Sequence, residues 1–261
     1  MILEGKYLKN YHTHTFRCHH AKGTEREYIE TAIESGIKVL GFSDHSPYVF
    51  PGGYCSNYRM ELDKVEGYFK TLTDLRDEYK DDIEIHIGVE AEYYPRFFED
   101  TVKFLDNFPC EYMILGQHNL NNEIQPDSFY AGRATDDTEK LKIYADTVIE
   151  AMRTGKFLYL AHPDLMKLTG HDDVYEREFG RICAEALAQN MPLEINMLGL
   201  RDGRHYPSEQ FWKIAAKYGN RVIIGFDAHS PEALADKETY LRAAEIARKL
   251  GLRLEEDTDL V

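Results

Sequence analysis

RVIIGFDAH (221–229) is the stretch whose reading decides the fold. Its short apolar run, Val222-Ile223-Ile224, reads as a buried parallel strand. Asp227 and His229 stand just past the end of that run, two residues apart. KYLKNYHTH (6–14), near the other end of the chain, repeats the arrangement with His12 and His14. Alternate residues of an extended chain point the same way, so each pair faces one side. Four further apolar runs lie between: KVLGFSDH (38–45), IEIHIGVEAE (83–92), EYMILGQH (111–118) and FLYLAHPD (157–164). They end on or near His45, Glu90, His118 and His162, and His20 follows His12 by eight positions on a loop. Imidazoles and carboxylates placed after strand upon strand have one economical explanation. The strands run parallel around a closed barrel, and their C-terminal ends converge on one metal site.

The segments between these runs read as helices. Thr24 with Glu27 three residues later forms a possible capping box, and that helix stops at Ser35-Gly36. A helix over about 61–80 has Leu62, Val65, Phe69, Leu72 and Leu75 at helical spacing. FFEDTVKFLDNF (97–108) repeats the period through Phe98, Val102 and Leu105. Helices over about 136–154 and 175–190 follow, then a sixth strand, PLEINM (192–197), and a short helix at 208–218. Pro231 opens the last helix, which ends near Gly251, and the tail LEEDTDLV looks solvated. Seven strand–helix units predict an α/β chain folded as a distorted (β/α)7 barrel, a TIM-like fold one unit short of eight, with residues 1–261 as a single domain. An open doubly wound sheet gathers its site at one crevice. Ligand candidates after six of seven strands favour the ring.

Bulk properties narrow the function. A hydrophobic content of 43% supports a sizeable core. The net charge of −15 argues against a sequence-independent grip on nucleic acid, though bound cations can reverse the field locally for an anionic substrate. Cys18, Cys55, Cys110 and Cys183 are scattered, as free thiols in a reducing compartment are. The N-terminus lacks the apolar stretch of a signal peptide and no run approaches a membrane span, so a cytoplasmic location is expected.

The individual signals differ in strength. HTH alone is weak, and of the adjacent His19 and His20 only one is expected to bind. Glu90 reads as a carboxylate bridging two cations, with Glu92, which faces the same way, as its alternative or a supporting group. His118 and His162 could each be a packed core residue, but two at equivalent barrel positions shift the balance. His86 is mid-strand and at the wrong end, and His171 and His205 are loop residues.

This set of residues resembles the polymerase and histidinol phosphatase (PHP) family along essentially the whole chain. HTH with a further His eight positions on, DH, a strand-end Glu, two single His and DxH all match. The resemblance implies a trinuclear centre of Zn, Mn or Fe. His12, His14, Glu90 and Asp227 would hold one cation; Glu90, His118 and His162 a second; His20, His45 and His229 the third. Nine such ligands leave open positions, as catalytic sites require, and Glu90, Asp227 and His229 are the expected catalytic residues.

The expected reaction is phosphate ester hydrolysis by a metal-activated hydroxide. The histidinol-phosphate phosphatase branch implies L-histidinol phosphate as substrate, in histidine biosynthesis. HTHTFRCHHAKG departs from that branch's usual N-terminal pattern after the Cys. A phosphomonoester needs a cation, and Arg17, Arg59, Arg133, Lys167 and Arg201 lie on candidate loops, with Arg201 favoured because it follows the one later strand without a metal ligand. Glu194, Asn196 and Gln117 are further candidate substrate contacts. Tyr48, Phe50, Tyr54 and Tyr58, in and beside the loop SPYVFPGGYCSN (46–57), would form a lid or pack that loop. The alternatives are another phosphomonoesterase or a nucleotide diesterase of the same family, a C–N metallohydrolase, and a non-catalytic metal-stabilised module.

Overall fold

A computed structural model describes residues 8–255 of the chain. Four parallel strands open the barrel: β1 (Leu8–Asn10), β2 (Ile37–His45), β3 (Glu84–Ala91) and β4 (Tyr112–Leu115). Residues 119–120 (β5) and 129–130 (β6) form a small antiparallel hairpin in the loop that follows. The fifth barrel strand expected over FLYLAHPD shrinks to residues 158–161. Leu158 N donates to Met113 O and Ala161 N to Leu115 O on one side, and Glu194 N donates to Leu160 O on the other. Beyond it come β7 (Leu193–Asn196) and β8 (Arg221–Gly225), again parallel. The ring closes where Thr13 bridges Ala228, through His14 N to Ala228 O at 2.9 Å and Ala228 N to His12 O at 3.2 Å. The expected distorted seven-stranded barrel is therefore present. No described helix is long and apolar enough to cross a membrane.

The helices follow the periodicity of the sequence. Thr24 accepts from Glu27 N, and Glu27 reaches back to Thr24 N, so the capping box starts α1 (Glu25–Ser35), which Gly36 ends at φ 83°. α2 (Val65–Glu78) buries Val65, Tyr68, Phe69, Leu72 and Leu75; Leu62 precedes it in a 3-10 turn and is exposed. Each such buried aliphatic or aromatic side chain contributes about 1.5–3 kcal/mol. α3 (Pro95–Leu105), α4 (Thr138–Arg153), α5 (Asp172–Ala188) and α7 (Glu209–Tyr218) match expected helices within a few residues. α6 (Met197–Arg201), capped by Asn196, was not anticipated. Pro231 opens a 3-10 turn, and α8 (Lys237–Leu250) begins only after it, capped by Asp236. The tail is partly a correction: Arg253–Leu254 (β9) pairs with β8 and Glu255 binds Arg221, while residues 256–261 lie outside those described.

Two apolar regions fix the site's position. The larger lies between strands and helices. The smaller fills the barrel with Tyr11, Val39, Tyr112, Ile114, Tyr159, Ala161 and Ile223. Inward-facing side chains plug such barrels. Here they form a dry floor beneath the strand ends.

Candidate metal centre

All nine anticipated ligand positions come together at the C-terminal mouth. Glu90, at the end of β3, is the hub. His162 Nε2 lies 2.9 Å from Glu90 Oε1 and His118 Nε2 3.4 Å from the same atom. His45 Nδ1 is 3.0 Å and His14 Nε2 3.4 Å from Glu90 Oε2. Asp227 Oδ1 stands 3.3 Å from His14 Nε2, 3.5 Å from His12 Nε2 and 3.3 Å from His229 Nδ1. His20 Nε2 is 2.9 Å from His229 Nε2 at the outer edge. His19 instead turns away to the backbone oxygen of Arg59.

Close approach is built into the neighbouring strands. A Cβ at Gly116 would sit 1.9 Å from Glu90 Oε1, and one at Gly225 1.7 Å from Glu194 Oε1. Glycine alone leaves room for both carboxylates. His162 and Asp227 hold left-handed backbone at φ 29° and 48°. Such backbone costs of order 1–3 kcal/mol per residue and persists where surrounding structure imposes it. Here it aims two donors into the mouth.

The donor set fits bound cations. His12 Nε2 and His14 Nε2 face each other at 3.1 Å, two ring nitrogens aimed at one point. Glu90 Oε2 and Asp227 Oδ1 are buried among imidazoles yet make no well-formed hydrogen bond among the described residues. Several trios of donor atoms lie within 4.8 Å of one another, including His12–His14–Glu90, His12–His162–Asp227 and His14–His45–His229. Imidazole nitrogen and carboxylate oxygen together suit divalent first-row metals. Cys18 Sγ also approaches His20 and His229, but burial pushes its thiol up to about 12.

A second layer of side chains orients the donors. Glu194 Oε1 takes His12 Nδ1 at 2.7 Å, and Glu92 Oε1 takes His118 Nδ1 at 2.8 Å. Carboxylates behind ligating imidazoles fix their tautomer and leave the other nitrogen free to bind. Asn196 Nδ2 donates to Asp227 Oδ2 at 3.0 Å. Burial pulls His12 down, but Glu194, Asp227 and Glu90 hold it well above the usual imidazole value. His14 is likewise carried against burial to about 9 by Asp227 and Asp44. Burial, reinforced by His14, pushes His45 well down. Burial opposes ionisation of Glu90 and Asp227, yet the surrounding imidazoles keep both well below the carboxylate range. Two ionised carboxylates thus stand among the imidazole rings of the mouth.

Of the expected substrate contacts, Glu194, Asn196 and Gln117 are fully buried and Arg201 stands at the rim. Arg201 ends α6 and lines a second hollow on the rim, which shares His20 and His229 with the main cavity and lies beside Lys22 and Glu232. Glu194 is fully buried between His12 and the backbone N–H of His162. Asn196 is consumed by Glu194, Asp227 and the cap of α6. Gln117 is fully buried, accepting from Tyr93 N and donating to Asn119 O. Arg17 binds Glu25, and Arg59 is buried beside Glu92. The lid reading fails for Tyr48 and Phe50, which pack against Tyr94 and Phe97. Tyr58 does reach the mouth. His86 sits at the far end of β3 between Glu84 and Glu111.

A cavity of about 560 Å³ opens over the centre, and Arg204 is the arginine that lines it, with Tyr58, Asn119, Tyr130, Asp202 and Tyr206. Arg204 Nη1 donates to Tyr206 OH at 2.9 Å and Nη2 to Asp202 at 3.0 Å. Arg204 was not among the arginines the sequence suggested, since α6, which separates it from Arg201, is too short to leave a periodic trace.

A seven-stranded barrel with a His- and carboxylate-lined mouth defines a class of metal-binding α/β hydrolases. Residues 10–198 match the PHP domain family, and the chain belongs to that family. It is 31% identical over 227 residues to a probable histidinol-phosphatase of Deinococcus radiodurans, covering 84% of this chain and 85% of that protein. It is 25% identical to the histidinol-phosphatase of Bacillus subtilis, covering 84% and 92%. The fold is similar to a histidinol phosphate phosphatase of Lactococcus lactis, solved with zinc, L-histidinol and phosphate. There the TM-score is 0.72, identity 20%, and coverage 95% of each chain.

Proposed function

We propose that this protein is a metal-dependent phosphomonoesterase that hydrolyses L-histidinol phosphate to L-histidinol and phosphate, a cytoplasmic enzyme of histidine biosynthesis formed by residues 1–261 as one barrel domain. The observation that carries the reading is the meeting of seven candidate donors (His20, His45, Glu90, His118, His162, Asp227 and His229) with one arginine, Arg204, around a single cavity, with His12 and His14 against Glu90 and Asp227 beneath them. The likeness to the Deinococcus and Bacillus proteins supports the substrate.

In this reading three divalent cations (Zn, Mn or Fe) are held by His12, His14, Glu90 and Asp227, by Glu90, His118 and His162, and by His20, His45 and His229. Bound divalent cations lower the pKa of water and neutralise charge on phosphoryl oxygens. The chain's own residues supply position. Glu194 and Glu92 hold the rings of His12 and His118 in a fixed tautomer. Arg204, braced by Tyr206, offers its guanidinium to the phosphate dianion, where a planar fork suits two oxygens. Glu90 and Asp227 would direct their carboxylates at the cations rather than at the phosphate, and His229 borders the reacting end at the rim. Tyr58 and Tyr130 flank the space left for the alcohol portion.

The test is phosphate release from L-histidinol phosphate, an aryl phosphate and a dinucleotide diester, with Mn, Zn or Fe supplied. Strong preference for histidinol phosphate is expected. Equal or faster cleavage of either alternative would move the protein to another phosphoesterase activity.

A further inference from the structure

Arg59 is among the largest fully buried side chains of the molecule, with 1% of its surface exposed. Such burial of a guanidinium requires partners. Its Nη2 binds Glu92, its Nε lies 3.0 Å from Glu123 Oε2, and its Nη1 donates to Ser46 O at 2.7 Å. Tyr48 and Tyr58 lie against its two sides, with ring centroids 5.0 and 4.7 Å from the guanidinium carbon. Glu123 is further held by Tyr94 OH at 2.9 Å and by Ser56. The group links two features of the centre. Through Glu92 it reaches His118 Nδ1, whose ring presents Nε2 to Glu90. Through Nη2 to Tyr58 OH at 3.1 Å it reaches the cavity wall, where Tyr58 lies edge-on to His45.

We propose that Arg59 is a positioning residue for the centre: it clamps the 46–60 segment in place and steadies the Glu92 carboxylate that aims His118. Glu92 supplies the negative charge behind His118, and the guanidinium's part is to fix where that carboxylate stands. The segment once expected to be a lid is on this account a fixed wall, pinned at Ser46 and Tyr58 by one side chain. The inference rests on His118 being a metal ligand.

The test is a double-variant cycle on the full chain, reading Mn(II) affinity and stoichiometry by competition with a chelating dye. The proteins are the wild type, Arg59→Met, His118→Ala and the pair combined. Arg59→Met should weaken the affected equivalent of Mn(II) by about 10–100-fold, the usual cost of losing a group behind a ligand. His118→Ala should weaken it at least as much, and the combined variant no further, because Arg59 acts through His118. Unchanged binding in Arg59→Met, or factors that multiply in the combined variant, would overturn the proposal. Unchanged binding in His118→Ala alone would instead remove the ligand reading beneath it. If Arg59→Met does not fold, the cycle is run in a Glu123→Gln parent, where losing Arg59 strands one buried carboxylate rather than two.

Discussion

Gly225→Ala should break the centre from behind without touching any ligand. The new Cβ would lie 1.7 Å from Glu194 Oε1 and 2.4 Å from its Cδ. The carboxylate must retreat by about 2 Å to reach ordinary contact. It has nowhere to go: Glu194 is fully buried, and its oxygens are engaged by His12 Nδ1 at 2.7 Å, His162 N at 3.0 Å and Asn196 Nδ2 at 2.9 Å. Overpacking of this kind costs about 1–3 kcal/mol. Losing the bond to the charged group adds about 1.5–3 kcal/mol. Denaturant unfolding of metal-free protein should therefore show about 3–5 kcal/mol of destabilisation. Metal retention after dialysis, read by elemental analysis, should weaken by about 10–100-fold, because His12 loses the group that holds its ring. Gly67→Ala is the control. It lies exposed in α2 with open space around its missing Cβ, and should stabilise by about 0.5–1 kcal/mol. A Gly225→Ala protein that kept wild-type stability and metal content would refute the close-packing argument.

Replacing Arg204 by Ala should lower kcat/KM for a phosphomonoester by about 10²–10³-fold, as loss of a phosphate-facing donor does. Arg201→Ala, on the rim hollow outside the main cavity, should have the smaller effect; the reverse ranking in steady-state assays would rule out Arg204 as the phosphate contact. Glu90→Ala should lose turnover and bound metal together, and full activity after metal refilling would contradict its role as hub. Against its burial, Arg59 holds the Glu123 carboxyl down to about 2, so that ion pair stabilises the fold above the unfolded value near 4.5 and is lost as pH falls toward 2. Glu123→Gln should therefore be less stable than wild type by up to about 3 kcal/mol at pH 7, with the gap closing toward pH 2–3 in urea titrations. A gap independent of pH would mean that the charge is not what matters.

The ligand set was readable because alternate spacing at strand ends is a local property. Two residues apart on an extended chain face one way whatever else the fold does, so His12/His14 and Asp227/His229 declared themselves. The helix starts were equally local, as Thr24 and Glu27 illustrate. What remained hidden depends on contacts between distant segments. Glu194, Asn196 and Gln117 have the polarity of substrate contacts, and only the closed ring reveals that each is taken up by buried partners. Arg201 and Arg204 differ by three positions, and a helix of five residues, too short to leave a periodic trace, decides which one faces the cavity. Gly116 and Gly225 carried a signal in plain view beside the candidate ligands of GQH and GFDAH. Its meaning required knowing that the neighbouring strands supply Glu90 and Glu194.

The closure of the ring between Thr13 and Ala228 also has a bearing on how the protein is made. His12 and His14 leave the ribosome early, whereas Asp227 and His229 follow only after more than two hundred further residues. Until then the early donors lack Asp227, which stands 3.3 and 3.5 Å from their Nε2 atoms, and the bridge through Ala228 that closes the ring. If the candidate centre holds a cation, a polypeptide cut short before its last strand would lack Asp227 and His229 from the donor set, and cation uptake would report that this strand had been made.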